Sequence, residues 1–180
     1  MEDRRLQSPG NLFVEALGPL ALGDQDPRPR LPTANGQLPM ANREYPDRPI
    51  VGVGAVIVRD HRVVIVQRST EPLKGQWSIP GGALELGETL RQGAAREALE
   101  ETGLEVECGE VLEVFDRIYP DPDGRIRYHY VLVDFLCHPV SGELRPGGDA
   151  AQARWVTAAE LPQFKVSETA TRILLKALER

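Results

Sequence analysis

The sequence predicts an α/β domain, a mixed β-sheet covered by helices, and three observations carry that prediction. Apolar, β-branched runs recur between turn residues, as in IVGVGAVIV (50–58) and RVVIVQRS (62–69). Two other segments carry helix start and stop signals or repeat their apolar residues at helical spacing. Strands outnumber helices, so the helices serve to cover a sheet.

The elements follow in order. After the strand at 50–58, Asp60-His61 makes a tight turn into the strand at 62–69. GQWSIPGG (75–82) reads as one short strand ending at Pro80, with Trp77 in the core. A helix follows over Leu90 to Thr102. Thr89 and, three residues later, Gln92 make a capping box at its start, and Gly103 suits the left-handed residue that stops it. VLEVFDRIY (111–119) and RIRYHYVLVDFLCHPV (125–140) pair across the turn PDPDG, with some of Tyr119, Tyr128 and His129 facing outward. ARWV (153–156) is a short strand. The last helix runs from about Ser167, with Ala170, Ile173, Leu174, Ala177 and Leu178 on one face.

Composition bounds the partners. The chain has 180 residues, 41% hydrophobic and 27% charged, with net charge −6. That suits one compact domain with a real core. A nucleic-acid polymer calls for a basic surface, which this balance does not suggest. No apolar run approaches the roughly 18 residues of a membrane span. Cys108 and Cys137 read as reduced thiols of a cytoplasmic protein. Residues 1–48 hold seven of the prolines and no helical or strand period, which predicts a disordered arm before a domain at 49–180. Within the arm, NLFVEALGPLAL is the one apolar patch, interrupted by Gly18 and Pro19. Residues 1–39 are expected to be dispensable for activity, with Met40 a candidate start.

One helix concentrates acid where acid is unfavourable. Glu97 and Glu101 lie one turn apart, with Glu100 on the adjoining edge, so the three fall within about a 100° arc. The C-terminus of a helix is already partly negative, and glutamates there repel one another and the dipole. An arbitrary glutamate triplet is usually a solvated face. A hard divalent cation is the other resolution, because Mg²⁺ prefers carboxylate oxygens.

The spacing decides between them. Gly82, five residues, Glu88, seven residues, then Arg96-Glu97-Ala98-Leu99-Glu100-Glu101-Thr102-Gly103-Leu104 resembles the Nudix box, here residues 82–104. Every fixed polar and glycine position matches; Ala98 stands where a larger aliphatic is usual. The resemblance implies a Nudix fold, a mixed sheet in an α/β/α sandwich, and hydrolysis of a phosphoanhydride bond with Mg²⁺, or Mn²⁺ in its place. It implies that Glu97 and Glu101 ligate the ion, that Glu100 supports a second one and is a candidate base, and that Gly81 lends its carbonyl to a metal. Bare glycines at 81 and 82 let the backbone approach an ion and a phosphate. Glu88 is implied to be structural or to reach the metal cluster, and Arg96 to pair with a carboxylate and fix its rotamer. Outside the box, Asp149 in RPGGDAAQARW is a candidate base or loop ligand, with Glu143 the other loop carboxylate, and Arg68 is a candidate contact to a terminal phosphate.

The implied substrate is a nucleoside diphosphate derivative. Pro120, sixteen residues past Leu104, is similar to a marker of ADP-ribose pyrophosphatases in this family, while the neighbouring Tyr119 resembles one of dinucleoside polyphosphate hydrolases. ADP-ribose is favoured, and a nucleoside triphosphate pyrophosphohydrolase is the alternative. A non-catalytic, nucleotide-binding Nudix-fold regulator is the rival from another class, though such domains often lose box glutamates and this chain keeps them all. An isoprenoid diphosphate isomerase would need a catalytic cysteine near the box, and Cys108 comes after the helix. A homodimer is left open.

Overall fold

The computed structural model describes residues 43–70 and 73–180. Most of the arm at 1–48, and all of 1–39, lies outside the described residues. Strands β1 (Ile50–Arg59) and β2 (Arg62–Arg68) form a hairpin. Asp60 and His61 both have positive φ, 51° and 55°, which is the turn geometry that two-residue hairpins favour. The hairpin pairs only next to its turn and then splays. In one leaf, β1 pairs in parallel with β6 (Ile126–Gly142) along one edge and antiparallel with β4 (Gly81–Ala83) along the other. In the other leaf, β2 pairs with β3 (Trp77–Ser78) and β7 (Ala150–Val156). The result is a mixed leaf and an antiparallel leaf joined through β1 and β2.

The predicted strand at 75–82 is therefore two strands with different partners. The break falls at Pro80, which has no N–H to give a ladder, while its carbonyl accepts from Ala55 N at 2.9 Å. The predicted strand at 111–119 is longer as well. β5 runs Leu104–Pro120, straight out of the preceding helix, and is antiparallel to β6. Its first half alternates buried Leu104 with exposed Glu105 and Glu107, a half-buried pattern too polar to signal itself in the sequence. In that half Cys108 sits directly opposite Cys137, and both are free thiols.

Helix α1 (Leu90–Thr102) has the predicted boundaries. Thr89 accepts from Gln92 N, the Gln92 side chain accepts from Thr89 N at 2.8 Å, and Gly103 ends the helix at φ 70°. Its buried face is small, Gly93, Ala94 and Ala98, so it lies close against β1, β4 and β5. Ala98, the residue that departs from the box pattern, is fully buried beside Val53, Ala55, Phe135 and Cys137. Helix α2 (Glu168–Leu178), capped by Ser167, covers the other face through Ala170, Ile173, Leu174 and Ala177. Trp77 is buried in that second core, edge-on to Phe164 with ring centroids 5.0 Å apart. This is the α/β/α sandwich the sequence predicts. Among the described residues no helix is long and apolar enough to cross a membrane.

Residues 43–48 have no regular structure but hold on to the β5–β6 hairpin. Tyr45 N donates to Arg127 O at 2.8 Å, and Arg127 Nη2 and the Tyr128 hydroxyl both donate to Glu44 Oε1, at 2.9 and 2.5 Å.

The helix stop gives a direct test. A Cβ on Gly103 would stand 2.7 Å from Arg145 Cγ and 2.9 Å from Glu143 O, in a backbone conformation hostile to L side chains. Gly103→Ala is expected to destabilise the fold by about 1 kcal/mol or more in urea denaturation. Gly109→Ala, where the nearest atom is 3.5 Å away, is expected to stay within about 0.5 kcal/mol. Equal effects at the two positions would refute the left-handed stop as the cause.

Candidate active site

At its C-terminal turn α1 faces the glycines of β4. Glu101 is 6% exposed, and its Oε2 accepts from the Gly81 amide at 2.9 Å. Glu97 lies against Gly82, where a Cβ would stand 2.4 Å from Glu97 Oε1, so only glycine leaves room for that carboxylate. Glu100 points outward and is half-exposed. The three predicted carboxylates thus share a side of the helix but differ in depth.

Arg96 organises them. Its Nε and Nη2 donate to the two oxygens of Glu88, at 2.7 and 3.0 Å. Nη1 reaches Glu97 Oε1 at 2.8 Å and Glu100 Oε2 at 3.3 Å, and Nη2 also donates to Ala83 O at 3.1 Å. Glu88 is fixed by this bidentate pairing and by the Glu85 amide at 3.0 Å. Of the two roles open to Glu88, the geometry favours the structural one. With Arg96 between Glu88, Glu97 and Glu100, no three carboxylates among the described residues converge on one point.

Burial sets the electrostatics. Removal from water raises the Glu97 carboxyl above its ordinary value, with Arg96 pulling the other way. Glu101 is pushed up to about 7, by burial first, with the Gly81 amide opposing. The pairing with Arg96 lowers Glu88.

Three further groups surround the carboxylates. Arg68 ends β2 near Glu101 and Tyr130, and its buried Nε has no hydrogen-bond partner among the described residues. The loop before β7 docks on the end of α1: Arg145 N donates to Thr102 O at 2.9 Å and Gly147 N to Glu101 O at 3.2 Å. These bonds satisfy carbonyls that a helix end leaves open. They bring Asp149 near Glu101, with its backbone carbonyl accepting from Ser69. Arg43, ahead of β1, acts electrostatically on Glu97 and Tyr130. Nothing in the sequence pattern singles out Arg43, because the contact depends on how the chain enters β1.

Known proteins resemble this chain in sequence and fold. The NUDIX domain pattern matches residues 48–177. A Methanocaldococcus jannaschii protein named ADP-ribose pyrophosphatase is 35% identical over 116 residues, covering 64% of this chain and 66% of that protein. A MutT-like protein of Streptomyces ambofaciens is 35% identical over 69% of this chain and 74% of its own length. The crystal structure of a MutT NUDIX hydrolase from Burkholderia pseudomallei superposes with a TM-score of 0.62 at 31% identity, over 72% of this chain and 98% of that one. This chain belongs to the NUDIX family. It is a Nudix hydrolase, an enzyme that acts as a pyrophosphohydrolase.

In this Nudix hydrolase the buried acid gives stability a pH dependence. The folded state keeps the Glu101 proton up to about pH 7, whereas an ordinary glutamate releases it near 4.5. Stability contributed by the protonated form is therefore complete below 4.5 and is lost as pH rises to about 7. In metal-free buffer Glu101→Gln is expected to melt above the wild type at pH 8, by on the order of 1–3 kcal/mol, with the gap closing towards pH 5. A gap that is constant across this range would show that Glu101 is not the titrating group.

Proposed function

We propose that this enzyme uses Mg²⁺, with Mn²⁺ as the alternative ion, to hydrolyse a phosphoanhydride bond in a nucleoside diphosphate derivative, ADP-ribose foremost. The observation that supports this most is Glu101, a buried carboxylate held by one backbone amide, beside the half-buried carboxylate of Glu97. Among the described residues Glu97 has Arg96 while no cation pairs with Glu101, and an oxygen-seeking cation supplies the missing charge. The donor set fits Mg²⁺: carboxylates on one rigid helix, next to the two glycines that open β4.

In this reading Glu97 and Glu101 hold the ion, and Glu100 supports a second. When bound, the ion neutralises bridging phosphate oxygens and makes the attacking water more acidic. Arg96 holds the Glu97 rotamer, and Glu88 holds Arg96. Gly81 and Gly82 let the pyrophosphate approach the backbone. Arg68 turns its unused Nε–H to a terminal phosphate oxygen, a charge-assisted hydrogen bond of the strong kind. Glu100, half-exposed at the rim, accepts the proton of the attacking water; Asp149 is the other candidate for that role.

The test is a screen of ADP-ribose, NADH, dinucleoside polyphosphates and nucleoside triphosphates, with products resolved. ADP-ribose is expected to give the highest kcat/KM, and a clear preference for triphosphates would replace it as substrate. Glu101→Gln and Glu100→Gln should each lose most turnover, and Mg²⁺ should raise the Tm of the wild type but not of Glu101→Gln. Turnover within a factor of two of wild type in both variants, at limiting Mg²⁺, would sink the metal assignment. Asp149→Asn separates the two bases: a fall in kcat of about 10²-fold or more with an altered pH–rate profile assigns the role to Asp149.

A further inference from the structure

The chain has two cysteines, and the fold sets them against each other. Cys108 on β5 and Cys137 on β6 are Cα partners in an antiparallel ladder. Residues so opposed put their side chains on one face, with Cα atoms about 4.5–5.5 Å apart. A disulfide spans Cα atoms about 4.4–6.8 Å apart, so the two strands already stand at its reach. Both side chains lie on the α1 side. Cys137 is fully buried there in one cluster with Ala94, Ala98 and Phe135, and the half-buried Cys108 packs against the same cluster.

The register makes this pairing specific. Near the hairpin turn Tyr119 opposes Tyr128, and Val114 opposes Val133. Carried on unbroken, that register would set Glu110 against Cys137. Two irregularities intervene, one between Glu113 and Val111 and one between Val111 and Cys108, and together they bring Cys108 to that place instead. Such bulges interrupt the ladder and re-aim side chains. Helix α1 holds the second of them, because Arg91 Nε donates to Gly109 O at 3.1 Å.

The two thiols differ as an attacking and a resolving group must. The Cys137 thiol lowers Cys108 below the ordinary thiol value, burial opposes this, and the Arg91 guanidinium adds to it. Cys137 is pushed up, by Cys108 first and then by burial. The thiolate is the nucleophile, so the more accessible Cys108 attacks and Cys137 resolves. Cys137 Sγ donates to Phe135 O at 3.6 Å, a weak bond that a turn of the side chain gives up.

We propose that Cys108 and Cys137 form a reversible dithiol–disulfide pair, closed by a hydroperoxide, whose closed form is a staple between β5 and β6 beneath α1. The Cys108 thiolate attacks one peroxide oxygen; the S–O bond forms, the O–O bond breaks, and the departing hydroxide takes up the Cys108 proton as water. Cys137 sulfur then attacks the Cys108 sulfur; the S–S bond forms, the S–O bond breaks, and the hydroxyl leaves with the Cys137 proton as a second water. The two thiols lose two electrons and the peroxide gains them. Because the strands already stand at the reach of the bond, closure leaves α1 and its glutamates in place. Oxidation therefore adds stability and spares activity. The proposal is independent of the metal and substrate readings above.

The test exposes the reduced full-length protein to hydrogen peroxide, then unfolds it in an alkylating reagent and weighs it intact. The oxidised chain should have lost two hydrogen atoms and take up no alkyl group, whereas the untreated chain takes up two. A non-reducing digest should join the Cys108 and Cys137 peptides of one chain, and dithiothreitol should release them. The oxidised form should melt several degrees above the reduced one and keep its pyrophosphohydrolase activity. Cys108→Ser should remove the response to peroxide. Cys137→Ser, which keeps the attacking thiol, should stop at a sulfenic acid that dimedone traps. Thiols still open to alkylation after peroxide, a bond between two chains, or an oxidised form that melts lower or loses activity would each overturn the proposal.

Discussion

Three glutamates in one turn at the negative end of a helix would push one another and the dipole apart. The Arg96 guanidinium offsets that repulsion for Glu97 and Glu100, while Glu101 rests on the Gly81 amide. The guanidinium spans Glu88 before the helix, Glu97 and Glu100 within it, and the Ala83 carbonyl on β4. One planar cation therefore ties the loop, the helix and the glycine strand into a fixed relation. A lysine, with one point charge and no fork, does not satisfy four acceptors in three directions. The depth of Glu97 and the position of Gly82 beneath it both follow from this contact.

The second constraint is missing volume. Gly82 leaves the space that Glu97 fills on the α1 face, and Gly54 leaves the space that Asp134 fills on the other. Each would lose its carboxylate geometry to a single methyl group. A strand interior weakened by glycine is a known cost. Here the glycines place charged oxygens against backbone on both faces of one sheet, and the apolar clusters around Val53 and Val56 supply the stability.

What was legible in the sequence depended on how local the signal was. Thr89, Gln92 and Gly103 fixed both ends of α1 because capping is a contact among near neighbours. The pairing of Arg96 with a carboxylate was implied by the resemblance to the box rather than by a local signal. The start of β5 was not, because its outward glutamates mask the alternation, and the division at Pro80 was not, because it depends on which leaf each half joins. The docking of the 145–149 loop and the approach of Arg43 are long-range consequences of topology. Asp134 did carry a signal, a lone charge inside a strand's apolar run, but the space it fills over Gly54 appears only when the register is known.

The parallel pairing of β1 with β6 also orders events in time. Ile50 meets Tyr130 and Gly54 meets Asp134, partners eighty positions apart in the chain. The contacts of α1 with β1 and β4 close much shorter loops, Gly54 to Gly81 and Gly81 to Glu101. Closing the long loop costs more chain entropy before any contact repays it. On the ribosome, the acidic end of α1 and its glycine strand are complete in sequence before β6 has been made. The molecule thus synthesises the α1 half of the sheet first, and the parallel pairing with β6 is the contact of longest sequence separation that remains to be closed.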